Sequence, residues 1–155
     1  MVTPLKTRAS DEQEPAAPLR YSTAWDTAAA SVTDARAAVR ALLDRAGHHP
    51  GHRPSQDAQL IVSELVTNAL RHAPGPGGLA LEVSPDTGVL RIAVRDSSPQ
   101  PPVLPEHDAG RVGGHGLHLV IRLCGRLQTV VHDTGKQVVA HFRLHPAAAP
   151  EPGIL

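Results

Sequence analysis

The sequence has almost no aromatic side chains: one Trp, one Tyr and one Phe, 2% of 155 residues. The ring platforms on which single-stranded nucleic acids stack are therefore missing. A surplus of charge of either sign is missing too. Fifteen Lys+Arg balance 15 Asp+Glu, whereas a general nucleic-acid binder shows a basic excess. The single cysteine, Cys124, excludes an internal disulfide and agrees with a reducing compartment. No stretch reaches the roughly 18–20 uncharged apolar residues of a membrane span, and Met1 to Pro18 has no apolar signal-peptide core. These absences predict a cytoplasmic protein that contacts neither membrane nor nucleic acid directly. What remains is a chain with 41% apolar and 19% charged residues, of a size that buries roughly two-thirds of its unfolded surface as one domain.

Residues 1–18, with Pro4, Pro15, Pro18 and the acids Asp11, Glu12 and Glu14, show no periodicity and read as a flexible tail; residues 146–155, with Pro146, Pro150 and Pro152, read likewise. The domain is expected over 19–145. Leu19 to Trp25 can form an opening strand, with Trp25 as an anchor. Val32, Ala35, Val39, Leu42, Leu43 and Ala46 then recur at helical spacing, with Ser31 as N-cap, Asp34 three residues on and Gly47 at the end. A second helix is expected from about Ser55 to before Pro74, burying Ala58, Ile61, Val62, Leu65, Val66, Ala69 and Leu70.

The period then changes to two. Leu79, Leu81 and Val83, followed across Pro85-Asp86-Thr87-Gly88 by Leu90, Ile92 and Val94, predict a hairpin with one buried face. Residues 97–112 hold four prolines and no apolar period, a loop long enough to suggest a lid or binding segment. A third helix should follow Gly113-Gly114, with Leu117, Val120, Ile121 and Cys124 on its apolar stripe and Gly125 as its stop. A last hairpin should pair Leu127–His132 with Gln137–Leu144 across Asp133-Thr134-Gly135-Lys136. Hairpins in place of βαβ crossovers predict an α+β class, a two-layer sandwich of mostly antiparallel sheet with helices on one face.

Polar clusters interrupt this apolar framework at three places. On the second helix Glu64 and Asn68 lie about 40° apart around the axis, flanked by Leu60 and Ile61. A partly desolvated Glu beside an amide suits a general base or an oxygen-ligated cation, and equally an ordinary wet helix side. Asp96 ends an apolar strand, where it can accept a hydrogen bond from the exocyclic amine of a purine or simply start a turn. In Gly110-Arg111-Val112-Gly113-Gly114-His115-Gly116-Leu117 glycines run into a helix N-terminus, where free N–H groups and the helix dipole attract phosphate, although glycines also serve plain turns.

In this order the three clusters resemble the Bergerat ATP-binding fold of the gyrase, heat-shock chaperone, histidine kinase and mismatch-repair ATPase superfamily. Glu64-x-x-x-Asn68 is similar to its N box, Asp96-x-Ser98 to its first glycine box and Gly114-His115-Gly116-Leu117 to its second. The phrases Ser63-Glu64-Leu65-Val66-Thr67-Asn68-Ala69 and Arg71-His72-Ala73 resemble the small bacterial anti-sigma-factor serine/threonine kinases. The resemblance implies that the domain binds ATP, that Asn68 ligates Mg²⁺, that Glu64 orients or deprotonates the nucleophile, and that Asp96 receives the adenine amino group. It also implies nucleotide contacts from His72, Ser98, Gly113, Gly114, His115, Gly116 and Leu117, with 97–112 as the ATP lid. A sigma factor and an anti-anti-sigma antagonist are the partners so implied, and a homodimer the assembly. Two positions depart from the superfamily: Ser98 stands where glycine is usual, followed by Pro99, and His115 stands where arginine is common. They favour, as the alternative, a nucleotide-binding or nucleotide-independent interaction module without turnover. The run His48-His49-Pro50-Gly51-His52 lacks a completing Cys or carboxylate and reads as a solvated loop rather than a metal site.

Overall fold

The alternation of apolar residues folds into a five-stranded antiparallel sheet in the order β1-β2-β3-β5-β4, seen in a computed structural model that describes residues 17–26, 32–100 and 116–144. Its strands are β1 (Leu19–Trp25), β2 (Gly77–Ser84), β3 (Val89–Asp96), β4 (Leu127–His132) and β5 (Gly135–Arg143). The helices are α1 (Val32–Arg45), α2 (Arg53–His72) and α3 (Gly116–Cys124). The expected α+β sandwich is the observed one. The expected tails, the Ser31 cap and most of the lid, from residue 101 on, lie outside the described residues.

Register follows from period two, since a one-residue slip would turn every buried side chain to water. Leu81 pairs with Ile92, which pairs with Ala140, and all three are at most 1% exposed. They face Val39, Leu43, Ile61, Val62 and Val66 in one continuous core. α2 is the central helix, packed between α1 and α3 and against β3. At 20 residues it spans about 30 Å. It starts two residues before the expected Ser55, because Pro54 in the first turn gives up only an N–H that has no helical partner there.

The opposite face of the sheet carries Arg20, Arg91, Arg95 and Arg143, with Glu82 its one acid. Arg20 engages Glu82 at 2.6 Å. Trp25, at the end of β1, is half-buried against the core as the expected anchor. In α3, Leu117 and Val120 are buried, while Ile121 and Cys124 are only half-buried. No described helix is long and apolar enough to cross a membrane.

One boundary differs in a way that reaches the site. The Asp133–Lys136 turn is shorter than expected: β5 begins at Gly135, which pairs directly with His132, so only Asp133 and Thr134 connect the strands. Lys136 is thereby a strand residue on the same side of β5 as Val138 and Ala140, facing the interior.

Candidate functional site

Glu64 and Asn68 sit one turn apart on α2, both half-buried, beside the fully buried Leu65 and Ala69. The packing of α2 on α3 brings the Glu64 carboxylate directly against the Cα of Gly116, the first residue of α3. A Cβ on Gly116 would collide with Glu64 Oε2. The absence of a side chain at Gly116 lets the acid reach the positive end of the helix dipole, and a larger residue there would push the carboxylate away. Two clusters far apart in sequence are thus one place in the fold. The hydroxyl of Ser63, next to Glu64, is buried without a hydrogen-bond partner among the described residues. His72, at the exposed end of α2, is the outermost of the expected residues on that helix. Leu117 turns its side chain into the core, which leaves its backbone as the part available at the helix start. Gly113, Gly114 and His115 lie outside the described residues.

Asp96 is the last residue of β3 and 5% exposed. Its Oδ1 accepts the backbone N–H of Ser98 at 2.9 Å, so the plain turn-starting role is realised. The half-buried Ser98 in turn accepts the Gln100 N–H on its hydroxyl at 3.3 Å. Directly across the ladder from Asp96 stands Lys136, 3% exposed, with Nζ at 2.9 Å from Oδ2 and 3.0 Å from Oδ1. The same ammonium donates to the Ser98 carbonyl at 3.3 Å. Close approach fixes this pairing, since a Cβ on Gly135 would strike the Asp96 carbonyl. An open cleft of about 550 Å³ adjoins the pair, bordered by Pro76, Ser97 and Thr134; Glu64 and Asn68 do not line it.

Lys136 is the site residue that sequence reasoning missed. The signal was its parity with Val138, Ala140 and Phe142, which puts a lysine on the inward side of a strand. In the His48–His52 loop, His49 Nδ1 accepts the Gly51 N–H at 2.9 Å, and its ring lies 5.1 Å from that of His52.

Residues 25–142 match the family model described as histidine kinase-like ATPase domain. The chain belongs to that family. Comparison with curated proteins finds no match. Among solved structures, the RsbU and RsbW domains of Rv1364c from Mycobacterium tuberculosis are 20% identical, with a TM-score of 0.55 over 88% of this chain and 35% of that one. The likeness is one of fold, and this domain spans about a third of that chain. The histidine kinase domain of the blue-light activated histidine kinase from Erythrobacter litoralis EL346 is 23% identical over 75% of this chain and 65% of that one, with a TM-score of 0.44, too low to add to the assignment.

Proposed function

We propose that this ATPase-family domain binds Mg·ATP and phosphorylates a Ser or Thr of a small antagonist protein, sequestering a sigma factor when the antagonist is not available. The observation that carries the reading is the meeting of Glu64, one turn from Asn68, with Gly116 at the start of α3. An amide oxygen, a half-buried carboxylate and a side-chain-free helix N-terminus are the donor set that a magnesium–phosphate group needs. A bound magnesium would supply the positive charge that neutralises the phosphates. Asn68 would supply the protein's oxygen ligand. Glu64 would hold the attacking hydroxyl, and the backbone from Gly113 to Leu117 would cradle phosphate. His72 and Ser98 would border the nucleotide, and Asp96 would face its base. The restriction to a sigma factor and its antagonist rests on the phrases Ser63–Ala69 and Arg71–Ala73, as does the homodimer, and the cytoplasmic setting rests on the sequence's lack of an apolar span or signal-peptide core; the RsbW name belongs to the Mycobacterium tuberculosis protein.

Calorimetric titration with ATP, with and without Mg²⁺, tests the site. Binding should require Mg²⁺ and be lost in Asn68→Ala. With proteins captured on the immobilised chain as phosphoacceptors, Glu64→Ala should lower phosphate transfer by roughly 10²–10⁴-fold while ATP binding persists. Mg-independent binding, or full transfer by Glu64→Ala, would remove these assignments. The buried Asp96–Lys136 pair favours a second reading, an interaction module without turnover. Partner binding that is indifferent to Mg·ATP, with no transfer, would select it.

A further inference from the structure

We infer that Lys136 reads the base beside Asp96: it sets a donor next to the acid's acceptor, so that the chain takes up 6-oxopurine nucleoside triphosphates, those of inosine and guanosine, as well as ATP. The inference rests on the proposed reading of Asp96 as the base-facing acid and deepens it. Both residues border the open cleft of about 550 Å³. They are direct partners across the central ladder, and the close approach of Gly135 to the Asp96 carbonyl keeps them side by side. Arg95 borders the cleft as well, but its guanidinium lies over Gly78 on the outer face of the sheet. Lys136 is the cation on the acid's own side.

Neither group is used up by the other. A carboxylate has about four lone-pair sites; the Ser98 N–H takes one at Oδ1, and the ammonium takes one at each oxygen. An acceptor site is left for a ligand. Of the three ammonium donors, two reach Asp96 at 2.9 and 3.0 Å, and the third reaches the Ser98 carbonyl at 3.3 Å. That last contact is longer than the roughly 2.7–2.9 Å of a charge-assisted bond, so it is the one that an incoming acceptor replaces, by a small turn of the flexible stem. Position 6 of a purine is a donor in adenine and an acceptor in the 6-oxopurines, and N1 reverses with it. An acid alone takes the amine and rejects the oxygen, because two acceptors then face each other unsatisfied. With an ammonium beside it both edges are met. Asp96 accepts the adenine 6-amine while Lys136 donates to N1; with a 6-oxopurine, Lys136 donates to the oxygen while Asp96 accepts the N1–H.

The test is a Mg²⁺-containing calorimetric titration of the full chain with ATP, inosine triphosphate and purine riboside triphosphate, which carries no group at position 6. The wild-type protein should bind ATP and inosine triphosphate within about threefold of each other, and the unsubstituted purine about tenfold or more weakly than either, the worth of one hydrogen bond to a charged group. Lys136→Thr removes the ammonium and keeps a strand-favouring residue; it should lose inosine triphosphate by about tenfold or more relative to ATP. Circular dichroism checks that the variant is folded, and if it is not, the wild-type ratios alone decide. A wild-type preference for ATP over inosine triphosphate of tenfold or more, or equal binding of all three ligands, would overturn the role of Lys136 and leave the nucleotide site standing. A folded Lys136→Thr that keeps the wild-type ratios would do the same, since a merely structural lysine weakens every ligand alike. No binding of any of the triphosphates would overturn the nucleotide site itself, and this inference with it.

Discussion

Burial pushes the Cys124 thiol up to about 11 from an ordinary 9.0. Because the unfolded thiol ionises first, burial of the neutral form contributes stability below pH 9 that is lost as pH rises towards about 11. At pH 8 the folded chain should therefore present roughly a hundredfold less thiolate than the chain unfolded in urea. The rate of modification by a disulfide reagent in the two states measures this directly. A folded rate near the unfolded one would show a thiol in contact with water. At the same scale lies the limit of sequence reading. Glu64 and Asn68 were legible because helix geometry alone puts them on one stripe. That Asp96 is held by Lys136, 40 positions away, was not, because cross-strand register is set by how two hairpins dock and not by either one alone.

At the level of elements, periodicity located the described helices and the strands from β2 to β5, and the errors fell at their ends. Gly135-Lys136 read as turn because glycine and lysine after Asp133-Thr134 carry the turn chemistry of polar, small residues. The ladder nevertheless starts there, because a two-residue connection lets His132 and Gly135 close it. β3 is the element on which the sheet turns, paired on one side by β2 and on the other by β5. Ile92, at its middle, is 0% exposed. Ile92→Ala should lose about 2–5 kcal/mol, the transfer of the lost methylenes plus the cavity they leave. Chemical denaturation read by far-UV dichroism gives the value. A loss below about 1 kcal/mol would mean that the strand repacks around the gap. Since Asp96 ends the same strand, a loosened β3 should also loosen the Asp96–Lys136 pair.

For the molecule as a whole, the described helices lie on one side of the sheet and none of them lies on the other. Zero net charge is a sum and says nothing of its distribution. Four arginines against one glutamate on the sheet face leave the compensating acids among the helices, loops and tails. Among the described residues, that face of the sheet is a flat positive surface. At its isoelectric pH near 7.2 the protein should be retained by a cation-exchange resin at low salt, and released by exchanging Arg91 and Arg95 for Gln. Flow-through of the wild-type protein would mean that other charges cover that face. An anionic surface that docks on those arginines would meet the sheet first, with the cleft beside Asp96 at the rim of the contact and the described helices turned away.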